Sequence, residues 1–302
     1  MNEFVSIVLP VYNAELYVEE AINSCLNQTY SKFEVIAVND GSTDSSFEIL
    51  DSFSDRIRII SQENKGIAGA LNTGIRAMKS NWYKLMNADD VLYPDCVEIL
   101  ISEVSKINDE KVIPYGNYDI INSQGKIIRE QIEPNRNDLS EFERNVVLLD
   151  HQYVNFITTI IHKSIFLKYG YYNESMNFSE DYELMLRLCL LHGFRFHLIE
   201  KKLAKYRNHE GQDTIKKNRT APDFSIYIRN LILNQLDSLE REKFEIALMQ
   251  FKKNIPISTR TKSRINDFLL EFFPSSSARK ISKIYRKLTH QNPSTYYQEE
   301  GN

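Results

Sequence analysis

Hydrophobic residues along the first ninety positions form short uninterrupted runs that alternate with stripes of helical spacing. The runs predict buried strands at residues 4–9, 33–38, 56–61 and 82–86. Apolar positions three and four residues apart predict helices between them, at residues 15–26, 45–53 and 67–78. This alternation of strand and helix is typical of a parallel sheet covered by helices.

Beyond Pro94 the pattern becomes mixed. A helix to about residue 105 is followed by a predicted hairpin around Gly125, with strands at 112–122 and 126–132. The next regular segments are two helices and a strand, at residues 140–149, 181–191 and 194–199. The central sheet is therefore expected to be mostly parallel but not purely so.

From about residue 222 onward only helical patterns remain, with predicted helices at 224–236, 239–251 and 265–272. We therefore expect two parts, an α/β domain over residues 1–215 and a small C-terminal helical region over residues 216–302.

The last predicted helix, residues 278–290, is basic and amphipathic. Its basic residues surround an apolar stripe formed by Ile281, Ile284, Tyr285 and Leu288. Such a helix can lie on anionic lipid, which would give peripheral membrane contact. The alternative is that the stripe packs onto the protein and the lysines are solvated.

Composition narrows the classes of function and the compartment. A formal net charge of −4 over 302 residues gives no general case for nucleic-acid binding. Three widely spaced cysteines fit neither a disulfide framework nor a zinc site, and so favour a reducing, cytoplasmic location. The first ten residues lack the features of a signal peptide, and no apolar run approaches the length of a membrane span.

Acidic residues directly follow two of the predicted strands. Asn87, Ala88, Asp89 and Asp90 follow the fourth strand, and Asp40 follows the second. An acidic pair after a strand can be a simple turn or a helix cap. Ligands of parallel α/β sheets, however, bind beyond the carboxyl ends of the strands. Both acidic segments could therefore face one crevice.

Six short motifs occur in a collinear order that resembles the family 2 inverting glycosyltransferases. They lie between about residues 4 and 213 and begin at Pro10, Asn39, Gln62, Asn87, Ser179 and Tyr206. The resemblance implies the GT-A fold, a single Rossmann-like domain. It also implies transfer of a sugar from a nucleotide diphosphate donor to a hydroxyl group, as in cell-surface polysaccharide assembly.

The resemblance implies a nucleotide site built from several of these motifs. Asp40 would accept the N3 hydrogen of uracil, because a carboxylate is an acceptor only; a UDP-sugar is therefore the expected donor. The backbone near the end of the first strand would line the base. The remaining nucleotide contacts would come from Pro10, Val11, Tyr12, Lys65, Asn87, Ala88 and Arg207.

The same resemblance implies a site for Mn²⁺ or Mg²⁺ at Asp89, with His209 as a further ligand and Asp90 supporting either the loop or the sugar. Two positions depart from the family pattern. Asn87 stands where a first aspartate is common, which lowers the negative charge of the site. Leu71 stands where an arginine is common, which leaves more of the phosphate binding to other basic residues.

For catalysis, the resemblance implies that Asp181 is the general base and that Glu180 contacts a sugar. Taken alone, these two acidic residues could simply stabilise a helix start. The whole pattern predicts a metal-dependent inverting glycosyltransferase that acts on a glycan or lipid-linked acceptor. The alternative left open is a non-catalytic protein that binds nucleotide sugars.

Overall fold

The computed structural model describes residues 3–176, 179–212 and 221–254. In these residues the strands are β1 (Val5–Val11), β2 (Phe33–Asp40), β3 (Arg58–Gln62), β4 (Trp82–Leu85), β5 (Val91–Leu92), β6 (Val112–Ile121), β7 (Ile127–Gln131), β8 (Ile161–His162) and β9 (Arg195–Arg207). The helices are α1 (Val18–Leu26), α2 (Ser46–Asp51), α3 (Gly66–Ala77), α4 (Cys96–Ile107), α5 (Glu141–Asp150), α6 (Lys163–Tyr169), α7 (Glu180–Leu186), α8 (Ala221–Leu233) and α9 (Ser238–Asn254). A short 3₁₀ helix and a π-helical turn complete the list, at Phe156–Thr158 and Arg187–Leu191.

The first sheet has the strand order β3-β2-β1-β4-β8. Its first four strands in this order are parallel, and β8 is antiparallel to β4. Val11 at the end of β1 lies beside Asn39 near the end of β2, and Val8 lies beside Leu85 of β4. The α/β Rossmann-like fold expected from the sequence is therefore confirmed. The loops that follow β1, β2 and β4 all leave the same edge of the sheet.

Helix α3 packs closely on one face of this sheet. Gly74 lies so near β1 that an added Cβ atom would stand 2.3 Å from the Cγ1 atom of Val8. Larger side chains are excluded there, because real Cβ atoms do not approach other atoms this closely. At the other end of the helix, the backbone nitrogen of Lys65 donates a 2.9 Å hydrogen bond to Asp40, which holds the start of α3 beside the end of β2.

A second sheet has the strand order β5-β9-β6-β7. The hairpin of β6 and β7 is present as predicted. The strand predicted at residues 194–199 is longer than expected, because β9 continues to Arg207 through two register shifts against β6. Its last part pairs with β5, where Val91 lies beside Lys205. This pairing places the end of β9 against the loop that contains Asp89.

The C-terminal helices α8 and α9 pack on the α/β part of the chain. Phe244 of α9 stacks on Phe142 of α5 with ring centroids 4.8 Å apart. Arg229 of α8 donates a 2.9 Å hydrogen bond to the carbonyl oxygen of Leu149 at the end of α5. The helices predicted at 265–272 and 278–290 lie outside the described residues. No described helix is long and apolar enough to cross a membrane.

Candidate active site

The loop after β4 is organised around Asp90. This side chain is buried, and its carboxylate accepts hydrogen bonds from the backbone nitrogen of Arg207 (2.7 Å) and from Nδ2 of Asn87 (2.8 Å). Burial and the neighbouring charge of Asp89 raise the pKa of Asp90 well above its usual range, although both hydrogen bonds oppose this rise. Asn87 thus shapes the loop, and its predicted contact with the nucleotide stays a prediction.

Asp89 and His209 meet at the rim of this loop. Nε2 of His209 lies 3.1 Å from Oδ2 of Asp89, and both side chains remain partly exposed, at 14% and 23%. This is the distance of a hydrogen bond between the two groups. Two neighbouring ligand atoms at about 2.1 Å from an octahedral cation also lie about 3 Å apart, so the same spacing suits one Mn²⁺ or Mg²⁺ ion when Nε2 of His209 carries no proton. In the described ranges no group of three or more His, Cys, Asp or Glu residues could hold a metal ion.

Arg207, predicted to contact phosphate, is 1% exposed and is surrounded by protein atoms. Its Nε donates to the carbonyl oxygen of Asp89 at 2.7 Å, and its Nη1 lies 3.2 Å from the carbonyl oxygen of Asn122 in the turn after β6. Its Nη2 pairs with Glu20 of α1 at 2.5 Å. The guanidinium group thus joins three segments of the chain, and a contact with phosphate stays a prediction.

Asp40 ends β2 and is 2% exposed. Its Oδ1 atom accepts hydrogen bonds from Nε2 of Gln62 (2.7 Å) and from the backbone nitrogen of Lys65 (2.9 Å). The side chain of Lys65 is exposed at the start of α3. These contacts fix the Asp40 carboxylate in one orientation, with neither bond made to Oδ2.

The loop after β1 is tied to the loop after β2 by reciprocal hydrogen bonds. Oδ1 of Asn13 accepts from the backbone nitrogen of Thr43 at 2.8 Å. The Asp44 carboxylate accepts from the backbone nitrogens of Glu15 (3.1 Å) and Ser46 (3.0 Å). Next to this network Pro10 and Val11 end β1, and Tyr12 follows them with 53% of its surface exposed. The proposed base-binding segments are therefore held as one unit.

Asp181 lies in the first turn of α7 and is half-buried. Its Oδ2 atom accepts a 2.6 Å hydrogen bond from Nε2 of Gln152, and its Oδ1 atom accepts one from its neighbour's backbone nitrogen. Burial raises the pKa of Asp181, while these hydrogen bonds act in the opposite direction. Burial is the main cause of the raised pKa of Tyr83, and the charges of Glu180 and Asp181 add to it. Glu180 itself is buried.

Some of the predicted site residues contact one another or a neighbouring side chain, in three groups. Asp89, His209 and Arg207 form the first, Asp40 and Lys65 the second, and Asp181 belongs to the third. Tyr17, Glu20 and Gln152 also contact these groups, although they lie in none of the predicted motifs. Only a motif that included the start of α1 could have drawn attention to the first two.

Comparisons with known proteins identify the family of the chain. Residues 6–200 match the family described as Glycosyl transferase family 2. An uncharacterized glycosyltransferase of Rickettsia prowazekii is 33% identical over 239 residues, which span 79% of this chain and 70% of the relative. The glycosyltransferase GlyG of Streptococcus pneumoniae is 40% identical over 124 residues, 39% of this chain and 41% of GlyG.

A similar fold occurs in TarS of S. aureus, whose structure was solved in complex with UDP-GlcNAc. The TM-score is 0.65 at 15% identity, and the match covers 88% of this chain and 80% of the TarS chain. This likeness supports the GT-A type of fold. The family match and the named relatives together show that the chain is a glycosyltransferase and belongs to glycosyl transferase family 2.

Proposed function

We propose that this glycosyltransferase transfers a sugar with inversion from a UDP-sugar, in a reaction that depends on Mn²⁺ or Mg²⁺. The observation that carries the proposal is the Asp89–His209 pair, whose 3.1 Å separation fits two ligands of one cation. The acceptor is a hydroxyl group of a glycan or a lipid-linked glycan. The basic amphipathic sequence at 278–290 provides contact with the cytoplasmic face of the membrane, where a lipid-linked acceptor would be held.

Uridine as the base is supported by Asp40. Its Oδ1 atom already accepts two hydrogen bonds, so Oδ2 is the atom we assign to the imide hydrogen of uracil. A cytosine presents no imide hydrogen at this position and would leave the carboxylate without a donor. The fold of TarS, which holds UDP-GlcNAc, is consistent with this choice.

The chemical step assigned to Asp181 is removal of one proton. The acceptor oxygen attacks the anomeric carbon, the bond from that carbon to the diphosphate breaks, and the hydroxyl proton passes to the Asp181 carboxylate. The bonding electrons leave with UDP. A cation at Asp89 and His209 would neutralise charge on the departing diphosphate. The hydrogen bond from Gln152 keeps the carboxylate oriented for this transfer.

The test is a panel of nucleotide sugars supplied with Mn²⁺ or Mg²⁺, read by donor hydrolysis and by transfer. We expect Asp181→Asn to bind donor normally and to lose turnover by roughly 10²-fold or more, the usual scale of general-base catalysis. Asp89→Ala should lose both turnover and the response to metal. Asp95→Asn, which changes an exposed aspartate at the start of α4, is the matched control. Wild-type turnover in Asp181→Asn would contradict the base assignment, and an unchanged metal response in Asp89→Ala would contradict the metal site.

A further inference from the structure

Tyr17 lies at the start of α1 and contacts two side chains near the end of β9, Arg207 and His209. The guanidinium carbon of Arg207 lies 4.7 Å from the centre of the Tyr17 ring. The imidazole ring of His209 lies 4.7 Å from the same ring, tilted by 55°. One aromatic side chain thus contacts both a buried cation and a residue of the Asp89–His209 pair.

Backbone hydrogen bonds fix the main chain at Tyr17. Its nitrogen donates to the carbonyl oxygen of Ala14 at 3.0 Å, and its own carbonyl oxygen accepts from Ala21 at 3.1 Å. One turn further along α1, Glu20 pairs with Arg207. The start of α1 therefore contacts Arg207 twice, through the aromatic ring of Tyr17 and through the carboxylate of Glu20.

These contacts bear on the metal site through two routes. Arg207 donates to the carbonyl oxygen of Asp89, so the position of the guanidinium sets the position of the metal loop. The Tyr17 ring also covers one side of the His209 imidazole, while Nε2 of that imidazole approaches Asp89. Contacts behind a metal ligand orient it toward the cation, and a ring packed against the imidazole restricts its rotation in the same way.

We propose that Tyr17 is a positioning residue that orients His209 and the Asp89 loop for the divalent cation of the nucleotide complex. This inference rests on the proposed metal site. The aromatic ring of Tyr17, rather than its hydroxyl group, makes both contacts. The cation–π contact needs only the aromatic system.

The experiment measures Mn²⁺ binding in the presence of UDP, by electron paramagnetic resonance of the free ion, alongside UDP binding in EDTA by calorimetry. Tyr17→Ala should weaken Mn²⁺ binding by about 10-fold or more, the usual effect of losing support behind a metal ligand. Tyr17→Phe should bind Mn²⁺ within about 2-fold of wild type, since it keeps the ring. Leu16→Ala, at a neighbouring residue that is 78% exposed, is the control for changes in this turn.

Binding of UDP in EDTA separates positioning from general damage, because a distorted fold would weaken it together with the metal. We expect it to be unchanged in Tyr17→Ala. If that variant does not fold, Tyr17→Leu makes the same comparison with apolar bulk retained. Wild-type Mn²⁺ binding in Tyr17→Ala, or equal losses in Tyr17→Ala and Tyr17→Phe, would overturn the inference alone. Absence of Mn²⁺ binding by the wild-type UDP complex would overturn the proposed metal site and this inference with it.

Discussion

At the residue scale, the ionisation of Asp181 depends on two opposing influences. Burial at the start of α7 raises its pKa, whereas the hydrogen bond from Gln152 favours the charged form that a base needs. The charges of Glu180 and Asp181 in turn add to the raised pKa of two buried tyrosines, Tyr83 and Tyr172. Gln152 is exposed, so it is the contact that can be changed with least damage to the core.

Gln152→Leu should therefore raise the pKa of Asp181 further. The base must be ionised, so activity is lost as pH falls through this pKa, and the acid limb of kcat/KM should move to higher pH. At high pH the variant should approach wild-type activity. Gln235→Leu, which removes an amide that bonds only the end of α8, should leave the profile unchanged. A Gln152→Leu profile that overlays the wild type would show that this hydrogen bond does not tune the base.

Single residues also show where prediction from sequence ends. Asp89 and His209 lie in motifs, and the structure brings them within 3.1 Å of each other. Arg207 lies in a motif too, but its surroundings depend on Glu20 and on the turn after β6, which are far away along the chain. No local pattern reports which distant carbonyl or carboxylate a side chain will meet. Its burial therefore could not be predicted.

At the scale of elements, β1 and β2 agree well with prediction because their apolar runs are buried on both faces of the sheet. Strand β9 was predicted too short because Glu200, Lys201 and Lys202 interrupt its apolar pattern. The charged stretch is accommodated in the sheet since Lys202 pairs with Asp119 at 2.9 Å and Glu130 at 2.7 Å. The cross-strand partners, which a single segment does not reveal, decide the length of this strand.

Asp44 joins the loop after β1 to the loop after β2 through hydrogen bonds. Burial alone would raise the pKa of Asp44, but hydrogen bonds from Ser46 and Glu15 outweigh it and lower the pKa. Because the folded state depresses this pKa, the stabilisation is complete above the unfolded value and is lost as pH falls through the folded one.

Asp44→Ala should lower the free energy of unfolding by about 1–2 kcal/mol near neutral pH, since it removes charge-assisted bonds that cap α2 and pin the loop after β1. UDP binding should weaken as well, because the base-binding segments are then no longer held together. Chemical denaturation at pH 7 and at pH 3 measures the effect, and the difference from wild type should shrink at the lower pH. Asp51→Asn, an exposed change in the same helix, is the control. A loss of stability that is the same at both pH values would contradict the role of the charge.

At the scale of the whole molecule, the net charge of the chain does not favour binding to an anionic membrane surface. The formal net charge is −4, so attraction to the membrane requires a local basic segment that outweighs the rest of the chain. The C-terminal sequence contains such a segment, with Arg279, Lys280, Lys283, Arg286 and Lys287 around its apolar stripe. Helices α8 and α9, which precede this sequence in the chain, pack on the α/β part through Phe244 and Arg229.

Removal of residues 275–302 should therefore abolish binding to vesicles that contain anionic lipid while leaving donor hydrolysis unchanged. In the full chain, Lys283→Glu with Lys287→Glu should weaken binding by at least about 30-fold, because each basic residue near the surface contributes about 1 kcal/mol. Added salt should weaken the wild-type interaction, and vesicles of neutral lipid should bind less. Co-sedimentation measures these differences, and Lys252→Glu with Lys253→Glu, two changes at the end of α9, is the matched control. Equal vesicle binding by the full and shortened chains would exclude this segment as the membrane contact, leaving the acceptor to be reached in another way.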